Sequence, residues 1–194
     1  MRKFVLTAIA CTLLSQALPA NADVVSFTGS VTGASTLIGP DPSCGAGNFR
    51  TAIDPLSTDG DSSFGKFHFE TSTCISPGGG TSSGTFHIYF ATDQFSGTFA
   101  GGSTPTSTSG ISATDWLFTI LAGTGRFADA SGTFDGTGIA DATSRPTHVS
   151  IDFLGDINAP ALPEPTSWAL MILGFGAIGW AGRRQRQRMT QQIA

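Results

Sequence analysis

Four groups of residues in this 194-residue chain have types and spacings that chemistry could use. Gly80-Thr81-Ser82-Ser83-Gly84 fits G-x-S-x-G, in which a serine on a sharp strand-to-helix turn attacks an acyl carbon. That geometry needs a strand before the serine and a helix after it, whereas this pentapeptide sits in a Gly-rich loop ahead of a strand pattern. Gly123-Thr124-Gly125-Arg126-Phe127-Ala128 fits G-x-G-x-x-A, which seats a pyrophosphate on a helix N-terminus. Ser131-Gly132-Thr133 and Gly136-Thr137-Gly138 follow too closely for such a helix to form. His68 and His87, on neighbouring strand patterns with a nearby Asp, would offer imidazoles to a metal ion, but alternation turns them and His148 to solvent, opposite Phe. Asp54, Asp59 and Asp61 could offer carboxylates to calcium; their order departs from the EF-hand loop and reads as solvated turn residues. Acid, base and nucleophile do not converge anywhere, so no catalytic residue, metal site or cofactor is expected and the chain reads as non-enzymatic.

The elements around these residues are strands. Helix formers are scarce, Gly, Ser and Thr recur every few residues, and 13 of the 15 Phe lie between Asp23 and Pro160. Phe67 and Phe69 alternate with Lys66, His68 and Glu70; Phe86, Ile88 and Phe90 alternate with Thr85, His87 and Tyr89; Phe95, Gly97 and Phe99 follow. Period-two patterns of this kind give strands with one apolar face. Further strands are expected at about 24–31, 116–121, 132–139 and 148–154, roughly seven in all at hairpin spacing. A meander of that kind hides its edges by closing or stacking, so the fold class is all-β, an antiparallel meander forming a small barrel, narrowly preferred, or a sandwich. Gly39–Ser63, with Pro40, Pro42 and Pro55, and Gly101–Gly110, around Pro105, read as long loops.

Cysteine and charge restrict the setting. Once Cys11 leaves with the N-terminal segment, Cys44 and Cys74 remain, an even pair suited to a disulfide in an oxidising compartment. From Asp23 to Glu164 there are 14 acidic and four basic residues, a formal charge of −10 that the whole-chain value of −4 conceals. Such a surface repels phosphate backbones, so nucleic acid is not an expected partner.

Both ends read as export signals. Arg2 and Lys3 precede an apolar run from Phe4 to Leu14, and Ala20-Asn21-Ala22 supplies the small residues of a signal-peptidase site, placing cleavage between Ala22 and Asp23. Near the other end, Trp168 to Gly182 carries no charge, and Trp168 and Trp180 bracket it as interfacial anchors. Twelve residues of helix cover about 18 Å, short of the roughly 30 Å hydrocarbon core, so the helix is placed from Thr166, which follows Pro163 and Pro165, to Gly182. Gly174, Gly176 and Gly179 within it suit close helix packing in lipid. Arg183, Arg184, Arg186 and Arg188 fix the C-terminus on the cytoplasmic side. The expected organisation is a signal peptide at 1–22, an ectodomain at 23–157, a linker at 158–165, a transmembrane helix at 166–182 and an Arg-rich tail at 183–194.

Two resemblances add to this. Pro163, Glu164, Pro165, Trp168, Ala169, Met171, Ile172, Gly174, Phe175, Gly176, Gly179 and the trailing arginines resemble the PEP-CTERM sorting segment of proteins exported by Gram-negative bacteria. The resemblance implies passage through the inner membrane, cutting near Pro-Glu-Pro by exosortase, delivery to the cell surface or matrix, and an association with exopolysaccharide and biofilm. Residues 119–134, with Gly123-Thr124-Gly125-Arg126-Phe127, resemble the strand-turn-strand signature of secreted barrels such as the dirigent and allene oxide cyclase barrels. That likeness implies a hairpin with a Phe tucked beneath it, and no activity. For the passenger two readings stand: a structural, non-catalytic surface protein, or a binding module for a small apolar ligand, a glycan or ice. A filled interior would favour the first and a pocket with converging polar groups the second.

Overall fold

The computed structural model describes residues 22–76, 80–160 and 171–176. Nine antiparallel strands make one sheet: β1 (Ala22–Pro40), β2 (Phe49–Ile53), β3 (Asp59–Ser62), β4 (His68–Ile75), β5 (Gly80–Tyr89), β6 (Gln94–Pro105), β7 (Ile111–Thr124), β8 (Ser131–Asp141) and β9 (Thr147–Pro160). The order is β2-β4-β5-β6-β7-β8-β9-β1-β3, and β2 also pairs with β1, so the sheet is nearly ring-like. β1 makes this possible by its length. Along one edge Ala22–Ser35 pairs with β9; along the other, Gly29–Thr32 pairs with β3 and Ser35–Pro40 with β2. β2 and β3 thus behave as one strand broken by the 3₁₀ turn Pro55–Ser57, whose Asp54 cap accepts from Leu56 N at 2.8 Å. Edge groups that would invite aggregation are mostly consumed in this way.

The period-two Phe pattern fills one end of the ring. Phe27, Phe69, Phe86, Phe95, Phe118, Phe127 and Phe134 are all at most 1% exposed. Phe118 and Phe134 stack with centroids 4.9 Å apart, and Phe86 meets Phe118 edge-on at 5.1 Å, arrangements that favour aromatic pairs beyond their buried area. Glycine on adjacent inward positions makes room: a Cβ on Gly136 would lie 2.5 Å from the Phe118 ring. Beyond these rings Arg126 covers the core, its guanidinium 4.7 Å from the Phe90 centroid, 4.9 Å from Phe127 and 5.7 Å from Phe64. Its Nε lies 3.2 Å from Asp93 and its Nη2 donates to Phe64 O at 2.9 Å. The hairpin expected from the barrel resemblance is present: Gly125 takes φ +60 in the turn and Phe127 packs beneath it.

Two expected loops are corrected. Gly39–Ser63 contains β2 and β3, because its short segments are held by pairing with β1 and β4 and need no amphipathic pattern of their own. Gly101–Pro105 continues β6 against β7; a Cβ on Gly101 would lie 2.0 Å from Asp115 O, so glycine there marks close approach of strands. The loop proper is Thr106–Gly110. Strand β9 also runs through Asn158 and Ala159 to Pro160, into the segment read as linker.

Cys44 and Cys74 are disulfide-bonded, Cα atoms 5.3 Å apart, as expected from the sequence. The bridge ties the β1–β2 connection to β4, and Arg50 reinforces it by donating to Asp41 at 2.5 Å, Ser72 at 2.6 Å and Ser43 at 2.7 Å. The Arg50 bond, followed by those that Ser43 Oγ and N donate to Asp41, holds the Asp41 carboxyl down at about 2.

Candidate functional site

The inward positions of the strands change character along the ring. On β4 they run Phe69, Thr71, Thr73; on β5 Phe86, Gly84, Ser82; on β6 Phe99, Gly101, Ser103; on β7 Phe118, Trp116, Thr114, Ser112. Where the Phe rings stop, a cavity of about 290 Å³ opens toward the end holding the β6–β7 and β8–β9 turns. Phe69, Phe99, Trp116 and Phe118 form its floor; Ser35, Thr51, Thr71, Thr73, Ser82, Ser103, Ser112, Thr114 and Thr147 line its wall; Leu37, Ile75 and Arg145 stand at its rim. That volume lies at the small end of ligand-binding cavities.

The polar groups differ in how they are satisfied. Trp116 Nε1 donates to Ser82 Oγ at 2.7 Å, fixing the indole as part of the floor. Thr73 Oγ1 lies 3.3 Å from Thr71 Oγ1. Thr114 is 5% exposed and its hydroxyl has no partner among the described residues. A buried hydroxyl left unpaired costs on the order of 1–3 kcal/mol, so Thr114 Oγ1 detracts from stability at this end of the ring. Arg145 is the one ionisable side chain among the described lining residues. Arg50 and Arg126 are paired with Asp41 and Asp93, whereas Arg145 has no hydrogen bond or ion pair among the described residues.

The residues picked from the sequence fall elsewhere, with one exception. Ser82 of G-x-S-x-G lies within β5 rather than in a loop before it, where its hydroxyl serves the Trp116 indole. The G-x-G-x-x-A run is the end of β7 and a 3₁₀ turn at Gly125–Phe127, with Arg126 turned onto Phe rings. His68, His87 and His148 lie outside the ring: Glu70 pairs with His87 in register, His68 with Tyr89, and His68 Nδ1 lies 2.8 Å from Thr58 O. Asp54 caps a turn and Asp59 and Asp61 lie in β3. No group of three metal-ligating side chains occurs among the described residues. The cavity hydroxyls carry no apolar alternation to mark them in the sequence; continuing each strand's Phe parity past its last Phe is the signal that finds them.

The sorting residues lie mostly outside the described residues: Pro163, Glu164, Pro165, Trp168, Ala169, Gly179 and all four arginines are among these, and so is the signal segment 1–21. Residues 171–176, which include Gly174, Phe175 and Gly176, are helical, with Met171, Ile172, Leu173 and Phe175 all exposed. No helix among the described residues is long and apolar enough to cross a membrane. A family model for the PEP-CTERM protein-sorting motif matches residues 161–186. The chain carries a PEP-CTERM sorting signal. The match takes in Pro163 through Arg186 and stops short of Arg188. The PEP-CTERM signal directs export and exosortase-mediated sorting to the cell surface or extracellular space. No curated protein and no solved structure gives a significant match to the chain.

Proposed function

We propose that this PEP-CTERM protein is a non-catalytic β-barrel binding module, displayed at the cell surface or in the matrix, that holds a small, mostly apolar molecule in its open end. One observation carries the reading: a cavity with an aromatic floor and a hydroxyl wall. The lining supports binding over catalysis, since Ser or Thr hydroxyls need an adjacent base to act as nucleophiles and the described lining residues offer none. Signal peptidase would cut between Ala22 and Asp23, the helix 166–182 would hold the precursor in the inner membrane with Arg183–Arg188 inside, and exosortase would act at Pro163-Glu164-Pro165. The ring suits that route. Ala22 pairs with Pro160, so the chain enters and leaves at the Phe-packed end and the cavity opens at the other, away from the membrane and toward any exopolysaccharide outside.

Native mass spectrometry of protein recovered from the cell surface tests this. The wild type is expected to carry a small organic adduct that Ala140→Phe, which pushes a ring into the cavity, excludes while remaining folded by circular dichroism. Bare wild-type protein would contradict a binding role. Deleting Pro163–Pro165 should leave export intact and retain the protein in the inner membrane; surface delivery of that variant at the normal level would refute the assignment of the sorting element.

A further inference from the structure

We propose that the molecule held in the cavity is a small monocarboxylate with a flat apolar body, its carboxylate at the rim on Arg145 and its body on the aromatic floor. This rests on the binding reading above and adds the ligand's charge and shape. Three features point to it. Four aromatic side chains converge on the floor, and rings prefer to meet other flat groups by offset stacking or edge contact. The cavity wall offers hydroxyls but no carboxylate, so nothing among the described lining residues compensates a cation. Arg145 is a fork of donors at the mouth with no ion-pair partner among the described residues, in an ectodomain whose surface is otherwise acidic.

Charge placement makes this more than a leftover arginine. In so acidic a domain an unpaired guanidinium would gain from any nearby Asp, and Arg50 and Arg126 each have one. Arg145 stands instead where the rim is formed by Leu37, Ile75 and Ser112. An anion entering from outside meets the guanidinium first. The body then lies against Phe99, Trp116 and Phe118. A cavity of about 290 Å³, at the small end of ligand-binding cavities, suits a single ring with a short acid arm.

Fluorine NMR titration of the full chain in lipid nanodiscs, with empty nanodiscs subtracted, tests the proposal using para-fluorophenylacetate and its neutral isostere para-fluorophenylacetamide. A charge-assisted bidentate contact predicts that the carboxylate binds about tenfold or more tighter than the amide. Arg145→Gln should bring the carboxylate down to the amide's affinity and leave the amide unchanged, and added salt should weaken the carboxylate alone. Equal affinity of both probes for the wild type, or an Arg145→Gln variant that binds the carboxylate as well as the wild type, would overturn the anionic assignment while the cavity stands as a neutral site. Failure of both probes to bind, or binding that Ala140→Phe does not reduce, would overturn the cavity as a site altogether.

Discussion

At one end of the ring Arg126 lies over Phe64, Phe90 and Phe127 and seals a core of Phe rings; at the other the same strands turn Ser and Thr inward around open space. β7 shows the change within one strand: Phe118 is buried, Trp116 is anchored through its nitrogen to Ser82, and Thr114 has a buried hydroxyl with no partner among the described residues. The difference separates two tasks. Burying a Phe side chain contributes roughly 1.5–3 kcal/mol, so the sealed end can supply the stability of the domain. The open end is then free to carry polar groups that cost stability.

The largest expected effect comes from opening the sealed end. Phe134→Ala should cost about 3–5 kcal/mol in urea unfolding, because the ring is enclosed by Phe27, Phe86, Phe95, Phe118 and Phe153, which cannot collapse into the gap. A loss below about 1 kcal/mol would mean that this end is not close-packed. Next comes the fastening near the open end. Cys44→Ser should lower stability by about 3.5 kcal/mol on the chain-entropy account for a 30-residue separation, and thiol titration of the native wild type should find no free thiol at Cys44 or Cys74. Two reactive thiols there would remove the bridge.

Smaller and opposite in sign is Thr114→Val. Removing an unpaired hydroxyl while keeping its shape should raise stability by about 1 kcal/mol, or roughly 3 °C in melting temperature. A stabilised sealed-end variant, or a destabilised Thr114→Val, would erase the contrast between the ends. The smallest effect is on the outer face, at Tyr89, the chain's single tyrosine. Its hydroxyl donates to Glu70 at 2.5 Å, and this bond, with burial and the carboxylate's charge, pushes its pKa up to about 12. The folded value exceeds the unfolded one, so its contribution is full below pH 10 and fades as pH rises toward 12. Absorbance at the phenolate band should show Tyr89 still protonated at pH 11, and Glu70→Gln should move the midpoint back toward 10; identical titrations would show that the bond does not form.

The same contrast explains what the sequence made legible. Phe67, Phe69, Phe86, Ile88, Phe95 and Phe99 alternate strongly, and they are the positions that place the sealed core and with it the antiparallel strands. Cys44 and Cys74 could be paired because the third cysteine, Cys11, falls in the segment read as a signal peptide. The sorting signal was readable because it acts as a linear element, through residue types in order. The open end was not. Its inward residues are Ser, Thr and Gly, which carry no apolar alternation, and β2, β3 and the end of β6 take their register from neighbouring strands. Arg145 became meaningful only when the β8–β9 turn was placed beside that wall.

The central claim, a sealed end and an end kept open for a ligand, is tested most directly by a crystal of the protein pressurised with xenon, which settles in dry apolar space large enough to hold it. The account predicts one xenon site, above Phe118 and beside Phe99 and Trp116, and none among Phe27, Phe95, Phe127 and Phe134. Xenon among the latter group, or side chains filling the space above Phe118, would contradict it.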